Sequence, residues 1–171
     1  MLVFRQFVDD DLGCASYLVG DRDAGVAVVV DPALAIEQYV AAAAEENVRI
    51  DRVLETHTHA DHVSGHGRFA LEHGLPVAIH ALAEPEYPCE HLADGEIVHA
   101  GATEIRVLHT PGHRPEHCAF VVDDRLVLTG DSLFVGDAAR PDLAVALAAA
   151  VLALAGLFVG IYVWLRPPPA A

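Results

Sequence analysis

A short run of metal-binding side chains directly after an apolar strand is the feature that most constrains this chain. Residues 56–62 read THTHADH, which places three imidazoles and one carboxylate within six residues. The preceding residues 52–56 have the pattern of a buried strand. Imidazole is the commonest metal-binding side chain, and a neighbouring carboxylate favours Zn²⁺, Fe²⁺ or Mn²⁺. Because side chains on a tight loop after a strand can converge on one ion, the run predicts a metal site.

Composition limits the classes of partner and chemistry. The 171 residues suffice for one ordinary domain, and the formal net charge is −15. Such an acidic chain lacks the basic face that a nucleic acid requires, so we expect no nucleic-acid partner. All ten basic residues are arginine, which excludes a lysine nucleophile. The three cysteines show no CxxC spacing and are interpreted as free thiols in a reducing compartment.

An uncharged segment over 143–165 decides the predicted location. Its 23 residues are long enough to cross a bilayer, and Tyr162 and Trp164 near its end are typical of an aromatic belt. We therefore predict a domain over 1–142, a transmembrane helix over 143–165 and a Pro/Ala tail over 166–171. Since the first residues carry no signal sequence, the domain is expected to face the cytoplasm from a C-terminal membrane anchor. In the alternative, a cytoplasmic protein, 143–165 packs as a buried helix.

Alternating strands and helices predict an α/β domain. We expect helices over 34–46 and 64–73, and strands over 2–8, 15–19, 25–30, 52–56, 77–80, 96–99, 104–109, 119–122 and 125–129. The last four strands are expected to be antiparallel. Two of them are followed by further ligand-type residues, His113 in a Thr-Pro-Gly-His turn and Asp131 in a Thr-Gly-Asp turn. Three strand-end loops with metal-binding side chains strengthen the prediction of one shared site.

The motifs THTHADH, TPGH and TGD, in this order and spacing, resemble the metallo-β-lactamase fold superfamily over roughly residues 2–142. Within it, TPGHRPEH followed by TGDSLFVGDAARPDL is similar to the persulfide dioxygenase group, with Arg140 and Asp142 at the end of that signature. The resemblance implies an α+β sandwich of two sheets covered by helices, in the layer order αββα. Family domains continue well past Asp131. We therefore expect a largely missing C-terminal half, replaced by one apolar helix, and a site that is degraded or completed by a second copy in a homo-oligomer.

The resemblance implies two alternative ligand sets. In two-metal hydrolases such as glyoxalase II, Zn²⁺ ions would be held by His57, His59 and His113 at one site and by Asp61, His62 and a later histidine at the other, with Asp131 bridging them. No histidine follows His117 in this chain, so that last ligand is lacking. His117, four residues after His113, is retained as a further candidate site residue.

In the persulfide dioxygenases, a single Fe²⁺ would be held by His57, His113 and Asp131. This is a facial set of two histidines and one carboxylate, which leaves coordination positions open for O₂ and a thiol-type substrate. The remaining members of the first motif, His59, Asp61 and His62, would then support these ligands. In the two-metal case they would bind metal, His59 at the first site and Asp61 and His62 at the second. Asp61 is also our candidate catalytic carboxylate. Arg140 is predicted to bind a carboxylate of a glutathione-type substrate.

Three functions therefore remain open. The first is an iron dioxygenase that oxidises a persulfide such as glutathione persulfide with O₂. The second is a zinc-dependent thioester hydrolase of the glyoxalase II kind. The third is an inactive, membrane-anchored metal-binding remnant.

Overall fold

Two sheets carry the fold in the computed structural model, which describes residues 1–9, 14–134 and 137–138. The first sheet contains six strands in sequence order, β1 (Leu2–Val8), β2 (Ala15–Asp21), β3 (Val26–Val30), β4 (Arg49–Leu54), β5 (Val77–His80) and β6 (Glu90–Leu92). Strands β1 to β3 pair antiparallel, whereas β3 to β6 pair parallel. Helices α1 (Glu37–Glu46) and α2 (His66–His73) form the two crossovers between β3, β4 and β5.

The second sheet is antiparallel, in the order β10-β9-β8-β7. Its strands are β7 (Ile97–Ala100), β8 (Thr103–His109), β9 (Cys118–Val122) and β10 (Leu126–Leu128). A small ladder follows, formed by β11 (Leu133–Phe134) and β12 (Asp137–Ala138). The antiparallel arrangement predicted after residue 96 is therefore confirmed.

Two apolar layers hold these elements together. The first lies between the sheets and includes Leu54 from the first sheet and Phe120 from the second, both fully buried. The second lies between the other face of the first sheet and the helices, where Tyr39 and Phe69 are fully buried. Since β3 and β5 are covered on both faces, they read as near-continuous apolar runs in the sequence. The predicted α/β sandwich is thus confirmed, as a helix–sheet–sheet arrangement, for the part of the chain that the structure describes.

Several local predictions differ from the structure, among them the start of α1 and strand β6. Helix α1 begins at Glu37 rather than at residue 34, because Ala33 pairs with Ser64 in an isolated bridge and Ile36 is the N-cap. Strand β6 was not predicted, because Glu90-His91-Leu92 is short and has one apolar residue that is buried. Its place at the sheet edge is set by pairing with β5, which no local pattern encodes.

The predicted membrane location is corrected. Among the described residues, no helix is both long enough and apolar enough to span a bilayer. Helices α1 and α2 have ten and eight residues, which at about 1.5 Å per residue is less than the roughly 30 Å of a hydrocarbon core. The segment over 143–165, on which the anchor and the apolar C-terminal helix were predicted, lies outside the described residues, and the structure supports neither prediction. The division at residues 142 and 165 stays a prediction.

Candidate metal centre

The strand ends of both sheets meet at one edge of the sandwich. Strands β8 and β10 run in the same direction because each is antiparallel to β9, so their C-terminal loops lie at the same edge of the sheet. The loop after β4 joins them, since the Cys118 amide at the start of β9 donates a hydrogen bond of 2.8 Å to the Thr56 carbonyl. This contact brings the three ligand-bearing loops together across the two sheets.

Three side chains converge where these loops meet. The Nε2 atoms of His57 and His113 lie 3.8 and 3.7 Å from Asp131 Oδ2. One ligand atom from each of the three residues lies within 4.8 Å of the other two. Bonds of about 2.0–2.2 Å from nitrogen and oxygen to one ion would separate such atoms by roughly 3–4 Å. The structure therefore brings together the three residues of the predicted iron site, and their role as ligands stays a prediction.

A chain of hydrogen bonds sets which nitrogen of His57 is available. Thr56 Oγ1 donates to Asp31 Oδ2 at 2.8 Å and lies 2.9 Å from His57 Nδ1. Because the threonine proton is directed at Asp31, His57 Nδ1 must donate, and the Nε2 lone pair is left to face Asp131. Burial lowers the pKa of His57 to about 3, so the ring is neutral, as a metal ligand must be.

His59 is held by two buried carboxylates. Its Nε2 forms a hydrogen bond with Asp31 Oδ1 at 3.2 Å and lies 2.9 Å from Glu55 Oε2, a charge contact without hydrogen-bond alignment. Burial alone would lower the pKa of His59, but the two carboxylates outweigh it and raise the pKa to about 11. With Nε2 occupied, Nδ1 is the nitrogen through which His59 would contact an ion. The contacts favour a supporting role for His59.

Asp61 and His62 form a second group beside Cys14. His62 Nδ1 lies 3.0 Å from Asp61 Oδ1, and Cys14 Sγ donates to Asp61 Oδ2 at 3.6 Å. Burial, together with the charge of Asp61, raises the pKa of the Cys14 thiol to about 11. Cys14 was missed as a site residue because it lies 47 positions from Asp61 and carries no motif. The predicted catalytic role of Asp61 stays a prediction.

His117 lies behind the converging residues. It is fully buried, its ring is stacked on that of His57 at 5.1 Å, and its Nδ1 is 2.9 Å from both Thr110 Oγ1 and Ser132 Oγ. Burial lowers the pKa of this imidazole to about 4. His117 therefore packs against a candidate ligand as a neutral ring.

A cavity of about 290 Å³ opens beside the site. Asp131 lies on its wall with His59, His62, Cys14 and Tyr17. Partial burial raises the pKa of Asp131, which makes this carboxylate less stable as an unpaired anion and favours a bound cation. A substrate in the cavity would lie next to Asp131, one of the three converging side chains. Arg140, predicted to bind substrate, lies outside the described residues.

Gly130 allows Asp131 to reach this position. Its φ is +48°, and a Cβ atom there would lie 2.5 Å from Thr56 Oγ1 and 2.9 Å from His117 Nε2. We expect Gly130→Ala to lower the free energy of unfolding by about 2–4 kcal/mol, from the backbone strain and the overlap together. Urea denaturation would measure the loss. Gly95→Ala is the matched control, because Gly95 has φ +77° but open space around it. Equal losses in the two variants would contradict the close packing around Gly130.

The sequence is similar to that of a known protein family and of curated relatives. The sequence profile of a family described as the metallo-beta-lactamase superfamily matches residues 9–168. The mitochondrial persulfide dioxygenase ETHE1 of Bos taurus is 31% identical over 144 residues, which are 82% of this chain and 56% of that protein. A hydroxyacylglutathione hydrolase of Francisella philomiragia is 31% identical over 139 residues, which are 78% of this chain and 53% of that protein.

A solved structure shows the same arrangement of elements. The crystal structure of ETHE1 from Myxococcus xanthus superposes with a TM-score of 0.76 at 30% identity, covering 82% of this chain and 62% of that one. The chain spans about half the length of the two curated relatives above.

Proposed function

Because this chain belongs to the metallo-beta-lactamase superfamily, we propose that it is a metal-dependent enzyme that oxidises a glutathione-type persulfide with O₂ at one iron ion. The observation that carries the proposal is the convergence of His57, His113 and Asp131 within 4.8 Å. Two imidazoles and one carboxylate are the donor set of mononuclear iron oxygenases. The fixed tautomer of His57 fits this set, since its Nε2 faces the other two donors.

The proposed reaction is balanced without a further co-reactant. Glutathione persulfide, O₂ and water give glutathione, sulfite and two protons: the outer sulfur is oxidised, O₂ is reduced and the sulfur–sulfur bond is cleaved. When bound, the iron would supply the redox chemistry of O₂ and the affinity for the persulfide sulfur. The protein residues would hold the ion, orient the substrate and balance the charge of both.

The hydrogen-bonded residues beneath the site would keep its geometry. Asp31 and Thr56 orient His57, and Asp31 and Glu55 together orient His59. Loss of such a partner commonly lowers metal affinity or activity by about 10- to 100-fold. The cavity beside Asp131 would admit the persulfide. We further propose that Arg140 binds a carboxylate of the substrate, as the resemblance implies.

Oxygen uptake tests the proposal directly. The full chain would be loaded with Fe²⁺ under anaerobic conditions, its iron content measured, and glutathione persulfide added in an oxygen electrode with a parallel sulfite assay. We expect one iron per chain and one sulfite formed per O₂ consumed. Folded, iron-loaded protein that consumes no O₂ would contradict the proposal.

A second candidate function is thioester hydrolysis, as the name of the Francisella relative indicates for that protein. The Cys14–Asp61–His62 group favours it, because a second set of donors lies beside the same cavity. Zinc ions at such donors would polarise a thioester carbonyl and activate water. Hydrolysis of S-D-lactoylglutathione by zinc-loaded protein in the absence of O₂ would identify this activity. Metal binding with neither activity would indicate the third possibility, a metal-binding chain that is not an enzyme.

A further inference from the structure

One buried imidazole contacts all three loops that carry the converging donors. His117 is fully buried directly before β9, and its ring is stacked on that of His57, on the loop after β4, at 5.1 Å and an interplanar angle of 27°. Its Nδ1 lies 2.9 Å from Thr110 Oγ1, on the loop after β8, and 2.9 Å from Ser132 Oγ, on the loop after β10. The last two loops carry the other two converging donors, so one ring connects the whole set.

The contacts of His117 lie close to these donors along the chain. Thr110 is three residues before His113, and Ser132 follows Asp131 directly. The Thr110 amide also donates a hydrogen bond of 2.9 Å to the His117 carbonyl, which closes the base of the loop that carries His113. Because a side chain can move little when residues next to it are held, the imidazole limits the freedom of both loops.

The space around the ring and its partners suit an imidazole. A Cβ atom on Gly130 would lie 2.9 Å from His117 Nε2, so the ring fills the space up to the backbone of the loop after β10. Burial of a polar ring costs free energy unless its nitrogens find partners, and an apolar ring would be sufficient for packing alone. A buried imidazole with hydroxyl partners on two loops therefore points to a role that depends on its hydrogen bonds.

We propose that His117 is a positioning residue of the metal centre. Its hydrogen bonds to the two loop hydroxyls and its contact with the His57 ring set the distances among the three donors. The inference rests on the proposed function, because it requires that His57, His113 and Asp131 hold the ion. Loss of the hydrogen bonds, with a ring kept in place, should therefore weaken metal binding and change the geometry of the bound ion.

Cobalt binding tests this role without an activity assay. The full chain is titrated anaerobically with Co²⁺ alone, and the visible absorption bands of the bound ion report its affinity and coordination geometry. Only the bands that His113→Ala removes are scored, since these belong to the three converging donors. We expect His117→Phe, which keeps a ring but removes both hydrogen bonds, to weaken this Co²⁺ site about 10- to 100-fold and to change its bands.

A conservative variant separates positioning from packing. His117→Asn leaves more empty space than His117→Phe, but its amide can place a hydrogen-bonding atom near the position of Nδ1. It should restore the original bands and bind Co²⁺ at least about tenfold more tightly than His117→Phe. Ser132→Ala removes one of the two hydrogen bonds and should weaken the same site about fivefold, which provides a check if His117→Phe does not fold.

Val122→Ala is the matched control for stability, because Val122 is fully buried at the other end of β9. It should lower the stability of the fold and leave the Co²⁺ bands unchanged. Equal losses of Co²⁺ affinity in Val122→Ala and His117→Phe would show that His117 only packs. Unchanged bands and affinity in His117→Phe, with the bands still lost in His113→Ala, would overturn the positioning role and leave the proposed iron site intact. If His113→Ala removes no band, the proposed iron site is wrong and the positioning role fails with it.

Discussion

Replacement of His113 by alanine is expected to abolish iron binding at the His57–His113–Asp131 site and to lower persulfide oxidation on the order of 10³-fold or more. Two remaining donors cannot hold the ion in a fixed geometry, so the loss should exceed the 10- to 100-fold typical of partner residues around a metal. The His113 side chain is 29% exposed, and its truncation should leave the fold intact. Iron content and oxygen uptake measure the two effects.

The control for this variant is His99→Ala, which removes an exposed imidazole from β7, outside the converging loops. It should bind iron and consume O₂ as the unmodified protein does. If His113→Ala instead retains one iron per chain and most of the activity, His113 is not a ligand, and the proposed iron site is incorrect. If both variants lose activity equally, the effect is not specific to the site.

Replacement of Asp31 by asparagine should strongly destabilise the folded protein. Asp31 is buried and accepts hydrogen bonds from the Thr56 amide at 2.7 Å and the Thr56 hydroxyl at 2.8 Å, while it also pairs with His59. Asparagine keeps the shape and tolerates the φ of +50° at this position, but it removes the charge and one acceptor. Loss of one partner of a buried ion pair commonly costs about 3–5 kcal/mol. We expect a decrease of about 3 kcal/mol in the free energy of unfolding.

The same substitution should also weaken metal binding. Without a carboxylate to accept its proton, Thr56 Oγ1 can donate to His57 Nδ1 and stabilise the tautomer whose Nε2 carries the proton. We expect metal affinity to fall about 10- to 100-fold. Urea denaturation and a metal titration measure the two losses.

Asp23→Asn is the control, because Asp23 is an exposed partner in an ion pair with the N terminus and should change stability by less than about 1 kcal/mol. Equal losses from Asp31→Asn and Asp23→Asn would contradict the buried network.

Much of the sandwich could be predicted from local patterns. The apolar run of β3 and the alternation in β8 indicate strands without reference to the rest of the chain, and Gly74 ends α2 in the left-handed conformation that is common for a glycine after a helix. Local patterns were less informative where hydrogen bonds to residues far along the chain decide where a strand ends. The Thr56 amide donates its hydrogen bond to the Asp31 side chain and not to a neighbouring strand, so β4 ends at Leu54 rather than at residue 56.

By itself, the sequence determined the types of donor and the strand ends that carry them, because side-chain identity and strand periodicity are local properties. Only the tertiary structure decided which donors are close together. Parallel pairing of β3 with β4 brings Asp31 beneath His57 and His59, and the hydrogen bond from Cys118 to Thr56 brings the loops of the second sheet against the first. The same packing places Cys14 beside Asp61, a contact over 47 positions. Such contacts arise from the register and burial of whole sheets, and the spacing of residues along the chain does not encode them.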